Sequence, residues 1–430
     1  MICFQHWWHG MLDIQAGDCA PLERRVLLII PYGGVGGMER LALNLYRHYR
    51  SLGGGVKVIK LVRLPDDIVN FGEDEIVLSE RDLVQMTPLR RIGFYLSVPI
   101  SIARAVRAHG ITHSIAFGDM GNLFSSLSPS CEFKVASIHS LKSVELASNG
   151  ALNRIFRLAY RTTYRRFDRV VCISRAIRND LLKNCGYRYP DNLEVVYNPH
   201  DLTAITEAAT EALAPDEAAL FSGRTVVFLG RLTGPKALWH LIRAFHAVLG
   251  RGIQARLLFI GDGAQDMTDY LKSLVDGFGM AAQVKFLGRR SNPYKYLVHA
   301  DVLALSSHLE GTPNVIVEAI ALGVPVVSSH CTDGVVELMS TRDVAGFNTP
   351  LELEAGVMTP PLTGSRDEIT HQTPMMPAEL ALADALAAVL VNPRYRESVR
   401  RNRMQLLEKF ELTKSAEAYL APVSQEGGMA

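Results

Sequence analysis

Two carboxylates stand eight residues apart in "HLEGTPNVIVEAIALGVPVVSS", His308 to Ser329. Glu318 interrupts an otherwise apolar helical run, where an unpaired charge is costly. One use for it is to accept two hydrogen bonds from vicinal hydroxyls, as on a ribose. The other is to pair with a basic neighbour such as Arg231 or Arg289. Thr312 suits the N-cap and Pro313 the first helical position, which leaves Glu310 in the loop outside the helix. Glu318 then shares a stripe with Asn314 and Ala321, while Val315, Ala319 and Leu322 face a sheet.

Two other segments could handle phosphate. In "GRLTGPKA", Arg231 and Lys236 follow a strand closely, a suitable clamp for a diphosphate or else a solvated surface pair. "GGMER", Gly36 to Arg40, brings bare backbone to a helix N-terminus, which favours anions, or forms an ordinary tight turn. Neither glycine cluster is a dinucleotide fingerprint. Gly34-x-Gly36 is followed by Glu39 and Gly261-x-Gly263 by Asp266, where Gly or Ala would be required. The chain also lacks a Gly-x-x-x-x-Gly-Lys phosphate loop and a Gly-x-Ser-x-Gly nucleophile elbow.

Such residues need strand ends to hold them, and the chain supplies a regular series. From Arg25, β-rich runs alternate with helical patterns: "RVLLII", "VKVIKLV", "THSIAF", "FKVASIH", "RVVCIS" and "LEVVYNP". The series restarts with "TVVFLGRL", "ARLLFIGDG", "QVKFLG", "DVLALSS" and "PVVSS". Alternation of this kind predicts an α/β protein with parallel sheets and right-handed crossovers. The polar, alanine-rich break from His200 to Gly223 predicts two Rossmann-like, doubly wound domains facing each other across a cleft. The expected division is an N-terminal extension over 1–24, a first domain over 25–205, a linker over 206–223, a second domain over 224–410, and a tail over 411–430 that returns to the first domain. Ligands of such domains gather where strands end and helices begin.

Bulk composition agrees with a two-domain globular chain. It has 430 residues, 48% hydrophobic and 21% charged, so one ordinary core is too small for it. A net charge of +1 provides no global field for nucleic acid. Six scattered cysteines without a Cys-x-x-Cys suit reduced thiols and a cytoplasmic setting. The longest apolar stretch, Ile92 to Val106, contains Pro99 and Arg104 and is too short to span a bilayer. The start of the chain lacks the pattern of a signal peptide. His6, Trp7, Trp8 and His9 suggest metal or membrane contact, but a poorly ordered extension, with Met11 or a later residue as the true start, is the simpler expectation.

Taken together, these motifs resemble the retaining nucleotide-sugar glycosyltransferases of glycosyltransferase family 4, which have the GT-B fold. The resemblance runs from about Arg25 to Phe410 and is most specific from Thr225 to Leu338, with the Glu310–Glu318 pair matching the family's Glu, seven residues, Glu motif. "GGMER", "CISRAIRNDLL" and "VVYNPHD" match weaker family segments in order. The sequence looks most like bacterial enzymes that build lipopolysaccharide, capsule or exopolysaccharide.

The resemblance implies a nucleotide-diphosphate sugar, UDP- or GDP-linked, as donor and a glycan or lipid-linked hydroxyl as acceptor. Glu318 would bind the ribose, and Arg231 and Lys236 would hold the diphosphate as the glycosidic bond breaks. Glu310 and the backbone of Gly311, Thr312, Pro313 and Asn314 would contact the transferred sugar. Gly36 and Gly37 would approach the phosphates or acceptor, and His139 would stand near the reacting carbon; without the family, His139 reads as a core histidine. Leu287 to Arg290, including Gly288 and Arg289, would lie beside the base. Catalysis would rest on positioning and leaving-group stabilisation, so no metal or cofactor is expected; "LPDDI" is expected to lie away from the donor motifs. An epimerase or phosphorylase of the same fold, or a non-catalytic binding protein, are the alternatives.

Three features depart from the family. Ala237 replaces the usual Gly after the lysine, the passage from about Ser340 to Pro377 is long, and the N-terminal extension has no counterpart. The long passage is expected to be an acceptor loop or a solvated insertion. Separately, Leu152 to Arg169 carries six arginines and one aspartate with an apolar stripe through Ile155, Leu158 and Tyr160. That helix either docks on anionic lipid at the inner face of the cytoplasmic membrane or packs with a solvated basic face.

Overall fold

A computed structural model describes residues 24–422 apart from Val35, Asp66, Asn149, Asp343 and 345–348. The His6–His9 segment, Cys3 and Cys19 lie outside the described residues. Two sheets organise the chain. The first contains β1 (Val26–Ile30), β2 (Val56–Lys60), β3 (Glu75–Val77), β4 (His113–Phe117), β5 (Phe133–Ile138), β6 (Arg169–Cys172) and β7 (Leu193–Val195), in the order β3-β2-β1-β4-β5-β6-β7. The second contains β8 (Arg224–Leu229), β9 (Ala255–Ile260), β10 (Val284–Gly288), β11 (Val302–Leu305), β12 (Val326–Ser329), β13 (Leu351–Leu353) and β14 (Gly356–Thr359), in the order β10-β9-β8-β11-β12-β14-β13. Among the described residues, the strands pair in parallel except β13 with β14.

The sequence explains the layering. Every residue of β1, "VLLII", is buried, as befits a central strand covered by helices on both faces. Strand order reverses between β1 and β4 in one domain and between β8 and β11 in the other. Those reversals open crevices at the carboxyl ends of the strands. The residues just beyond β1, β5, β8 and β11 are therefore the ones that line a ligand site.

The expected linker has a different character. Leu202–Ala208 and Pro215–Ala218 are helical, and Ile205 belongs to the core of the second domain, so most of this segment folds with that domain. The final helix, Leu412–Leu420, packs against the first sheet through Ala416, Tyr419 and Leu420. The two chain crossings touch: His200 N donates to Phe410 O at 2.9 Å.

The passage after Ser340 is more than a loop or a solvated insertion. It supplies β13 and β14, and β14 extends the second sheet from β12. Downstream, the buried Arg243 guanidinium donates to the carbonyls of Thr370, Thr373 and Pro374 at 2.7–2.9 Å, which fixes the segment on the second domain's outer helices. Short strands at a sheet edge have too little apolar periodicity to announce themselves.

Candidate active site

Between the domains lies a cleft of about 930 Å³. Gly36, Gly37 and His139 line it from the first domain; Arg231, Lys236, Arg289, Glu310, Gly311, Thr312, Pro313, Asn314 and Glu318 line it from the second. Gly288 is not among the lining residues. It ends β10 with φ of 68°, and its carbonyl accepts from Gly261 N at 2.9 Å, so its part is to turn the backbone.

The arginine and lysine sit on a braced loop. Leu232 N donates to Asp262 O at 2.7 Å, and Gly230 N to Ile260 O at 3.0 Å, which ties the chain after β8 to the "GDG" turn after β9. A side chain on Gly261 would place its Cβ 1.9 Å from Gly230 O, so glycine there permits close strand-end packing. Arg231 projects from this braced turn and remains exposed in the cleft. Lys236 ends the short turn Gly234–Lys236, and Ala237 follows in the left-handed region with φ of 46° and ψ of 46°. That is the backbone a glycine adopts without penalty, which accounts physically for the family's usual residue at this position.

The lysine loop is laced to the glutamate loop. Ser306 Oγ donates to the carbonyls of Lys236 and Ala237 at 3.0 and 3.1 Å, and His308 N donates to Pro235 O at 2.8 Å. Lys236 forms an ion pair with Glu310, whose same oxygen accepts from Ser307 Oγ at 2.7 Å. Lys236 and Glu310 are therefore one unit.

The helix carrying Glu318 begins at Asn314, with Pro313 as N-cap, one residue later than expected. Thr312 is not the N-cap, and its Oγ1 accepts from Asn198 Nδ2 at 3.4 Å, in the segment that joins the domains. All residues from Ile316 to Ala321 are buried, while Val315 and Leu322 are only partly so. The helix is thus enclosed on most sides rather than on one stripe. Glu318 pairs with neither Arg231 nor Arg289. Its carboxylate, 3% exposed, takes Arg40 Nη1 of the first domain at 2.6 Å and the Tyr294 hydroxyl at 3.2 Å. Burial raises its pKa, and Arg40 opposes the rise.

His139 follows β5 directly and packs against Phe117. Burial, helped by the Lys142 charge, lowers its pKa to about 3, so the imidazole is neutral at ordinary pH. Its carbonyl meets the second domain: a Cβ on Gly311 would lie 2.5 Å from His139 O. Gly37 likewise faces Asn314, whose Nδ2 would lie 3.4 Å from an added Cβ. Glycine at 311 lets the two walls approach, whereas a Cβ at Gly37 would make only an ordinary contact.

Several lining groups had no role assigned from sequence. Arg40 lay within "GGMER" and Asn198 and His200 within "VVYNPHD", but nothing in their spacing revealed that they meet the second domain. His139 Nε2, His200 Nε2 and Asn198 Oδ1 are buried without a hydrogen-bond partner, and all three residues line the cleft. Buried polar atoms of this kind call for a ligand or water to complete them. The "LPDDI" loop contributes Asp67 to the glycine turn of the first domain. Asp67 Oδ1 accepts from Gly33 N at 2.9 Å, and its carboxylate pairs with buried Lys60, so the loop braces the glycine turn. Among the described residues, no three His, Cys, Asp or Glu side chains gather as a metal site.

Two family models match in tandem, "Glycosyltransferase Family 4" over residues 35–204 and "Glycosyl transferases group 1" over 223–358. An uncharacterized glycosyltransferase of Methanocaldococcus jannaschii is 26% identical over 277 residues, covering 63% of this chain and 67% of that protein. The N-acetylgalactosamine-N,N'-diacetylbacillosaminyl-diphospho-undecaprenol 4-alpha-N-acetylgalactosaminyltransferase of Campylobacter jejuni is 29% identical over 175 residues, covering 41% of this chain and 45% of that enzyme. The chain therefore spans about two thirds of one relative and less than half of the other. Among solved structures, Anabaena HepE in complex with UDP and glucose aligns with a TM-score of 0.69 at 18% identity, over 92% of this chain and 98% of that one. At that identity the likeness shows the fold alone.

Proposed function

This chain belongs to glycosyltransferase family 4, with the GT-B fold and relatives in polysaccharide biosynthesis, and from that premise we propose that it transfers a sugar from a UDP- or GDP-linked donor with retention of configuration. The acceptor is a hydroxyl of a glycan or lipid-linked saccharide in surface-polysaccharide assembly. A lipid-linked acceptor is in keeping with the undecaprenol named for the Campylobacter relative, and with it goes contact at an anionic membrane.

The observation that carries this reading is the convergence of Arg231, Lys236, Glu310 and Glu318 on one wall with Gly36, Gly37 and His139 on the other. Arg231 and Lys236 supply cations for a diphosphate, and Glu318 supplies an acceptor pair for ribose hydroxyls. Breaking the anomeric C–O bond sends its electron pair to the diphosphate oxygen, where fixed cations stabilise the charge. The acceptor oxygen then bonds to the anomeric carbon from the same face, and its proton passes to the departing phosphate oxygen. Neutral His139 and the Gly311 backbone border the space where this exchange would occur. With preorganised side-chain cations in place, the reaction is proposed to run without a metal.

Calorimetric titration with UDP and GDP, followed by product analysis with and without a saccharide acceptor, tests the proposal. Binding of a nucleoside diphosphate and acceptor-dependent formation of a glycoside are expected. Conversion of the donor sugar without an acceptor would favour an epimerase instead.

A further inference from the structure

Strand alternation divides the first domain into two layers. Leu28, Ile30, Ile115 and Val171 pack on one side with helix Gly37–Ser51 and the final helix. Leu27, Ile29, Ala116 and Val170 pack on the other, beneath helices Pro88–Ala108, Gly118–Leu127 and Ala151–Ala159, with Gly118–Leu127 contacting both others. The outer surface of this second layer is apolar where water-facing helices are normally polar. Leu89, Ile92, Leu96 and Ile100 repeat at three- and four-residue steps and are 83%, 55%, 71% and 56% exposed. The inward face of the same helix is separate and buried, through Val98, Ile102 and Val106.

The charges on the two outer helices of this layer, Pro88–Ala108 and Ala151–Ala159, have one sign. Arg90, Arg91, Arg104 and Arg107 are all exposed, and no Asp or Glu occurs between Thr87 and His109. Helix Ala151–Ala159 repeats the composition: Leu152, Ile155 and Leu158 are exposed beside Arg154, with no acidic residue from Gly150 to Phe167. Of the stripe expected there, Tyr160 is buried instead, its hydroxyl 3.0 Å from Asp119, so Leu152 takes its place at the surface. A cavity of about 200 Å³ bordered by Arg81, Arg90 and Phe94 opens where the long helix begins. Because that helix is entered after β3 ends, its first turns lie at the strand-end side of the sheet, where the cleft also opens.

We propose that this helical layer docks on an anionic phospholipid surface, with Leu89, Ile92, Leu96 and Ile100 entering the acyl boundary and the arginines meeting lipid phosphates. Apolar anchors flanked by cations, without a competing carboxylate, are the combination that an interfacial helix requires. The purpose of the contact, presenting a lipid-linked acceptor at the cleft mouth, rests on the proposed transfer function; the contact itself does not.

Co-sedimentation of the full chain with phosphatidylcholine vesicles, with and without about 30% phosphatidylglycerol, tests this, since anionic headgroups create the attracting potential. Binding only to the anionic vesicles is expected, weakening at high salt. R90Q/R91Q should lower partitioning roughly 30-fold, and L89S/L96S should lower it while thermal unfolding and nucleotide titration stay as in the parent. The proposal is overturned if the parent ignores anionic vesicles, or if both variants bind as the parent does. It is also overturned if light scattering shows a dimer that L89S/L96S dissociates while vesicles capture nothing, which would assign the face to a second copy. Vesicle binding without nucleoside diphosphate binding would keep this surface and sink the transfer reading; the reverse result would do the opposite.

Discussion

Arg40 on the first domain and Glu318 on the second stand 2.6 Å apart, an ion pair that joins the two walls of the cleft. The arginine is 48% exposed and the glutamate 3%, so the two partners are not equivalent. Removing the arginine strands a buried carboxylate, whereas removing the carboxylate leaves a cation that water can reach. Arg40→Gln should therefore cost about 1–2 kcal/mol of stability, discounted for the exposed partner, and Glu318→Gln less. Urea unfolding of both single variants and the double variant checks this, and equal losses would contradict it.

The two glutamates should separate kinetically. Glu318→Gln is expected to raise donor KM and weaken nucleoside diphosphate binding, because the ribose it would hold does not change during reaction. Glu310→Gln should lower kcat while binding nucleoside diphosphate no more weakly. Steady-state kinetics with calorimetry decides, and the reverse pattern would exchange the two roles.

Lys236 and Glu310 share an ion pair, so their variants should not add. Lys236→Ala should cost on the order of 2–4 kcal/mol of transition-state stabilisation, the range for one preorganised electrostatic group. The double variant should cost clearly less than the sum. Chelator should leave turnover nearly intact; collapse in EDTA with recovery on adding magnesium or manganese would falsify a metal-free clamp.

Gly311→Ala probes the approach of the two walls. Its methyl would need the space held by His139 O, a backbone atom that cannot swing aside. A loss of about 10²-fold in kcat/KM, the scale for misplacement near 1 Å, is expected with little change in melting temperature. Parent-like kcat/KM would show that the domains need not meet there during transfer.

His139 and His200 are both held neutral, with pKa values lowered to about 3 mainly by burial. An unfolded histidine takes up its proton near pH 6.5, so below that value the unfolded chain binds more protons and stability falls with pH. The loss begins near 6.5, reaches about 1 kcal/mol per histidine at about pH 5.5, and continues toward the folded pKa. His200→Gln should flatten the acid limb of a stability–pH curve. An NMR titration of His139 with a midpoint near 6.5 would contradict its burial.

Much of the fold was legible before any coordinates. The eleven runs quoted as strands all lie on observed strands, because continuous apolar segments alternating with helical periodicity leave few arrangements other than parallel sheets. β3 and β13 escaped, being three-residue pieces that each carry a glutamate, and β14 escaped because it follows β13 within a stretch read as a loop or insertion. Arg231, Lys236, Glu310 and the glycines were legible as candidates for one reason: they immediately follow strands, and strand ends are where such domains gather ligands.

Pairing was another matter. One of the two sequence readings of Glu318 paired it with Arg231 or Arg289, in its own domain, because strand-end loops of one sheet are the neighbours that a pattern of strands and helices suggests. Arg40 lies 278 positions away and reaches it only because two separately folded sheets face each other. The same holds for His139 and Gly311, for Thr312 and Asn198, and for the outward face of the helix from Pro88 to Ala108, whose exposure no local pattern settles. Periodicity and turn chemistry are local, so the sequence by itself determined the elements and the loops that bear the chemistry. Burial, ion pairing and the closeness of the two walls depend on atoms far apart along the chain, and only the tertiary structure decided them.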